Sequence, residues 1–228
     1  MSDAPGRFEP PNPARPREPM FNVPVAALLI AASIPLFYLF QRDLPDMGMS
    51  MAFVPSDLER GRWSGLLTSM LLHGGWTHAW MNAVGALAFG APVARLLSYR
   101  MGPTVFLLFY VTSGVLAALG YGLIHWGSDA PMVGASGAVF GLIGAATRLM
   151  GVPPGGRLLK LTDRRVVTAS IAWMGVNVLT GVIGVIPGVD GAGIAWEAHT
   201  VGFVFGLLAI GPLARLAGRG PASHRIAD

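Results

Sequence analysis

Apolar residues fall along this chain in runs whose number and spacing fit membrane helices of about 20 residues. Six helices are predicted, at Phe21–Phe40, His78–Leu97, Pro103–His125, Ser136–Met150, Val166–Pro187 and Ala195–Leu216. The fourth is short for a full span. Polar residues cluster between the runs. The longest such stretch, Gln41 to Leu72, is mixed: Met47-Gly48-Met49-Ser50-Met51 and Trp63 make it partly apolar without making it a span. It reads either as a segment lying along the membrane surface with its apolar face in lipid or as an ordinary extracellular loop. No repeat at a fixed period is present.

The basic residues orient this pattern. Arg7, Arg15 and Arg17 precede the first run, and Arg95 and Arg100 lie between the second and third. Arg148, Arg157, Lys160, Arg164 and Arg165 lie between the fourth and fifth, and Arg215, Arg219 and Arg225 close the chain. The alternate loops hold Arg60 and Arg62 among the acids Asp43, Asp46, Asp57, Glu59, Asp129, Asp190 and Glu197. The positive-inside rule then puts both termini in the cytoplasm, and six spans satisfy the alternation at every loop. Residues 1–20, with six prolines, read as a flexible cytoplasmic tail. Residues 21–217 form the membrane domain and 218–228 a second cytoplasmic tail.

Composition agrees. Of 228 residues, 53% are hydrophobic and only 12% charged, about half the charge of a soluble domain; the mean hydropathy is +0.55. The net charge of +4 is spread between apolar runs, so topology rather than nucleic-acid binding accounts for it. There is no cysteine, which excludes a disulfide framework and thiol chemistry. No cleavable signal peptide is evident before the first run.

Polar groups inside membrane helices cost free energy and need a reason. Here they gather at one membrane surface. His78 and Asn82 share a face near the outer end of the second helix, Ser136 opens the fourth, and His199 lies just inside the outer end of the sixth. Gly134-Ala135-Ser136-Gly137 sets a serine between glycines where a loop meets an apolar helix. Alone, such a serine is ordinarily an N-cap. The sixth helix carries Ala198, Gly202 and Gly206, and the fourth Gly137, Gly141 and Ala145, each a small-residue stripe at four-residue spacing. Such stripes let membrane helices approach closely. If the two face each other, the Ser136 hydroxyl and the His199 imidazole meet, as nucleophile and base. The Ser136 N–H, the Asn82 amide and the His78 ring are candidate donors to an oxyanion. The alternatives are a structural glycine zipper with a bonded histidine, and an interhelical clasp at His78 and Asn82. There is no His-Glu-x-x-His, no pair of carboxylates within helices and no P-loop.

These residues resemble the rhomboid family of intramembrane serine proteases. His73-Gly74-Gly75-Trp76-Thr77-His78-Ala79-Trp80-Met81-Asn82 resembles the family's second-helix motif, Gly134-Ala135-Ser136-Gly137 its nucleophile motif, and Ala198-His199-Thr200-Val201-Gly202 with Gly206 its base motif. The likeness spans about Trp63 to Gly206. It implies an all-α, six-helix rhomboid-like membrane bundle with Ser136 as nucleophile and His199 as base. It implies an oxyanion hole of His78, Asn82 and the Ser136 N–H, and a structural His73. Membrane-spanning protein substrates would be cut near their outer ends, with no metal or cofactor. The setting would be a bacterial cell membrane. Two positions depart from the pattern: Ser64 and Gly65 stand where many members have Trp-Arg, leaving the loop's internal bonding open, and Phe140 stands where tyrosine is common. The competing reading is a non-catalytic rhomboid-like protein that binds membrane helices; such relatives usually lack the serine or the histidine. A small transporter would need polar groups reaching the cytoplasmic side.

Overall fold

A computed structural model describes residues 24–153, 156–183 and 194–218. Residues 1–20 of the first predicted tail, the start of the first predicted helix before Pro24, the end of the fifth beyond Ile183, and the second tail beyond Gly218 lie outside the described residues. Within them the fold is helical, with a single isolated antiparallel bridge, Phe53–Met132, in place of any strand. The helices are α1 (Val25–Gln41), the short α2 (Gly65–Thr68), α3 (Trp76–Met101), α4 (Pro103–Ile124), α5 (Ser136–Thr147), α6 (Arg164–Ile183) and α7 (Trp196–Gly218).

Each of the six predicted runs has its helix. The boundaries moved where local chemistry outweighs hydropathy. Helix α1 starts after Pro24, which cannot donate into a helix. Helices α3 and α4 meet at Gly102, whose φ of 85° breaks the helix before Pro103 restarts it. Four helices are long and apolar enough to cross a membrane: α3, α4, α6 and α7; α1 and α5 are shorter. The chain is a multi-pass membrane protein.

Helix α5 is the axis. Ten of its twelve residues, all except Ser136 and Phe140, are buried, and α3, α4, α6 and α7 all touch it. Its sides are made of glycine, alanine and short aliphatics, so neighbouring backbones come close. A Cβ built on Gly202 would collide with the Gly137 carbonyl, and one on Gly206 with the Gly141 carbonyl. The predicted close pairing is therefore made by the glycines of α7. Those of α5 serve two neighbours: the space beside Gly137 and Gly141 is taken by Ala117 and Ser113 of α4, while a Cβ on Gly144 would collide with the Phe203 carbonyl of α7. Helix α1 lies outside, against α3, and α6 is a largely exposed apolar helix held at the edge.

The 42–75 segment caps one end of the bundle. It begins with left-handed backbone at Asp46, Met47 and Gly48. Phe53, Leu58 and Leu66 then bury themselves against Ala118 of α4. It is sewn to the 125–135 loop by Phe53–Met132 backbone bonds, by Ser56 N–H to Ser128 O at 3.0 Å and by Ser56 Oγ to Asp129 at 2.6 Å. Inside it, Arg60 and Arg62 both hold Asp57, which keeps that carboxyl below the usual carboxylate range. Gly65 has to be small, because a Cβ there would sit 2.9 Å from the Ala52 carbonyl oxygen and from Phe53 Cα. Leu44, Met47, Met49, Trp63 and Leu67 remain exposed on this cap.

Candidate active site

Ser136 is the first helical residue of α5, and Ala135 is its N-cap, with no side-chain capping bond. The serine hydroxyl is thus not used as a cap. It lies 2.7 Å from Nε2 of His199, which α7 presents in its first turn. Gly134 makes the approach to this position possible. Its φ is +126°, and a Cβ there would sit 2.8 Å from the Cε1 and Nε2 atoms of His78 and 3.6 Å from Ser136 Oγ. The His78 ring therefore covers the bare face of Gly134, next to the serine. The Gly134 N–H is anchored on the Ser69 carbonyl at 2.9 Å.

The backbone N–H of Gly74 donates to His78 Nδ1 at 3.4 Å. A neutral ring accepting there carries its proton on Nε2, the atom turned toward Gly134 and Ser136. Asn82 lies one turn along α3 and is buried. Its Nδ2 donates to the His78 carbonyl at 2.9 Å, so this bond is made within α3 and not across to another helix. Among the described residues, Ser136, His199 and His78 converge, while Asn82 makes no hydrogen bond to the serine or to His199. The Phe140 ring lies face to face with His199, centroids 4.3 Å apart and planes within 5°.

His73 is fully buried beside this group, its ring edge-on to His78 at 5.1 Å. Its peptide is clasped by the side chain of Gln41 from α1: Nε2 donates to the His73 carbonyl at 3.0 Å and Oε1 accepts its N–H at 2.8 Å. Burial pushes the His73 imidazole down to about 3, His78 adds to the effect, and the Leu71 backbone opposes it.

One member of this network was passed over in the sequence. Asn177 of α6 is buried and its Oδ1 lies 2.8 Å from His199 Nδ1. Its Nδ2 reaches the Trp196 carbonyl at 2.8 Å and Thr200 Oγ1 at 3.1 Å. A signal was present: Asn177 is the one side-chain amide in α6, and a buried amide in an apolar span requires partners. At the same end of the bundle His125, closing α4, meets Glu197 at 3.1 Å.

The profile of the Rhomboid domain family matches residues 60–216, which contain Ser136, His199, His78, Asn82, His73 and Asn177. The chain belongs to the rhomboid family. Two Bacillus subtilis (strain 168) rhomboids are similar over part of their length. One, bearing the rhomboid protease name YdcA, is 39% identical over 84 residues, covering 37% of this chain and 40% of its own. The other, the rhomboid protease GluP, is 34% identical over 88 residues, covering 39% of this chain and 16% of its own. The matches thus span less than half of either relative. In this rhomboid domain the cluster lies where the loops of one end meet the N-termini of α3, α5 and α7.

Proposed function

We propose that this protein is an intramembrane serine endopeptidase that cuts membrane-spanning protein segments near the outer face of a bacterial cell membrane. The observation that supports it most strongly is the 2.7 Å approach of Ser136 Oγ to His199 Nε2 in a chain of the rhomboid family.

The steps follow from the residues. His199 Nε2 takes the hydroxyl proton as Ser136 Oγ attacks the scissile carbonyl carbon. The carbonyl oxygen becomes an oxyanion, met by the Ser136 N–H, which as the first helical residue has no intrahelical acceptor, and by the His78 Nε2–H. The Asn82 amide contributes from one turn away. Losing one such donor costs about 3–4 kcal/mol of transition-state stabilisation. The C–N bond breaks as His199 returns its proton to the leaving amine. Water then enters and gives a proton to His199 as its oxygen attacks the acyl carbon, and His199 passes that proton to the departing Ser136 Oγ. Helix α5 is only twelve residues long, about 18 Å against a hydrocarbon core of about 30 Å. A helix this short leaves room for its first residue to lie below the membrane surface, under the 42–75 cap.

The test is cleavage of a single-span substrate in liposomes, alongside labelling by a fluorophosphonate. The wild type should cleave and label, and Ser136→Ala should do neither while keeping its melting temperature. A folded wild type that binds the membrane segment without cleaving or labelling would overturn the reading in favour of a non-catalytic helix-binding rhomboid.

A further inference from the structure

We infer that Asn177 is a positioning residue for His199, so that the working unit is Ser136, His199 and an asparagine supplied by a third helix. This rests on the protease reading for its kinetic arm and on hydrogen-bond geometry alone for the rest.

The argument starts from a group whose role admits no choice. The Trp196 backbone carbonyl can only accept. The Asn177 side-chain atom 2.8 Å from it must therefore be the NH₂ group, which fixes the orientation of the amide. Thr200 Oγ1 donates to the same carbonyl at 2.9 Å, so toward Asn177, at 3.1 Å, it accepts. Both N–H groups of the amide are then spent, and Oδ1 is left facing His199 Nδ1 at 2.8 Å. An amide oxygen can only accept, so Nδ1 must carry a proton. In the neutral ring Nε2 is then bare, and it is Nε2 that faces the Ser136 hydroxyl. Every link points the same way, from a main-chain carbonyl to the serine proton. Asn177 thereby selects the one tautomer that can act as base. It also offers an acceptor to the Nδ1–H when the ring becomes doubly protonated during attack. Phe140 stacked on the ring restrains its tilt, but only Asn177 touches Nδ1 among the described hydrogen bonds.

Helix α6 is largely exposed, and among the described hydrogen bonds the Asn177 amide ties it to α7.

Asn177→Leu keeps the approximate volume and removes the acceptor. With a membrane substrate its kcat should fall by about 10- to 100-fold, an effect bounded by the roughly 10⁴-fold loss when a triad's orienting group enforces the wrong tautomer, while KM stays within about twofold. In detergent micelles, ¹⁵N spectra of histidine-labelled protein, assigned with His199→Gln, should show a single Nδ1–H tautomer for wild-type His199 and a mixture for Asn177→Leu. Asn177→Asp leaves an acceptor for Nδ1–H whether or not its carboxyl is protonated, so it should retain the tautomer and more activity than the leucine variant. Should Asn177→Leu fail to fold, the aspartate variant and the wild-type spectrum carry the test. A wild-type His199 bearing its proton on Nε2, or Asn177→Leu retaining wild-type kcat, or losing activity with its tautomer unchanged, would overturn the proposal. The spectra need no substrate, so they answer even if the protein cleaves nothing.

Discussion

Burial of His73 beside His78 makes protonation of this ring unfavourable in the folded chain but not in the unfolded one. The unfolded chain therefore binds the extra proton between the ordinary histidine value near 6.5 and the folded value of about 3. Stability from this source is full above pH 6.5 and is lost as the pH falls toward 3. Asp57 and Asp163, held low by arginines, weaken the fold only below their ordinary value of 3.8. In detergent, acidification from pH 7 to 4.5 should lower the wild-type melting temperature by about 5 °C, and His73→Phe should flatten that slope; an unchanged slope would mean another group titrates. For Asn82, truncation to alanine should lower kcat by tenfold or more with little change in melting temperature; an unaltered kcat would reduce its role to the bond with the His78 carbonyl. Ser136 and His199 were legible as residues because a serine between glycines and a histidine in a small-residue stripe are unusual chemistry for an apolar span. Asn177 was not, because it lies alone in its helix: what makes it important is a ring nitrogen from another segment, and no local spacing encodes that distance.

At the scale of elements, the order of the six long helices was legible from apolar runs, since burial in lipid is what those runs encode, while the short α2 inside the cap was not. The division of labour among glycines was not. The stripes on α5 and α7 do meet, Gly202 at the Gly137 carbonyl and Gly206 at the Gly141 carbonyl, but the bare faces of Gly137 and Gly141 turn to Ala117 and Ser113 of α4. A stripe says that something comes close; which neighbour it is depends on the rotation of the helix. Gly202 lies less than one turn from His199, so Gly202→Ala should push α7 off the Gly137 carbonyl. Overpacking of this kind costs about 1–3 kcal/mol, and fluorophosphonate labelling should slow at least tenfold as the Ser136–His199 contact opens. Gly175 of α6 has open space where a side chain would go, so Gly175→Ala is the matched control and should change neither stability nor labelling. Equal labelling rates for the two variants would contradict the close α5–α7 approach.

Across the whole molecule, polar work is divided between the two ends of the bundle. One end carries the 42–75 cap, the 125–135 loop, and the starts of α3, α5 and α7 with the site beneath them. The other carries Arg148, which donates to the Leu159 and Leu207 carbonyls at 3.0 and 3.3 Å, and Arg165, which holds Asp163, while Arg60 and Arg62 at the site end are matched by Asp57. Charge asymmetry of this kind orients a membrane protein during insertion, so the end with Arg148 and Arg165 should face the cytoplasm and the site the outside. The chain has no cysteine, which allows single cysteines to report sidedness without background. Ala130 and Arg157 are both exposed and lie in loops at opposite ends. In intact cells, Ala130→Cys should react with a membrane-impermeant maleimide and Arg157→Cys should react only after permeabilisation. The reverse pattern would put Ser136 and His199 at the cytoplasmic face, where they would meet the inner ends of membrane-spanning substrates, and the proposed cleavage position would have to move with them.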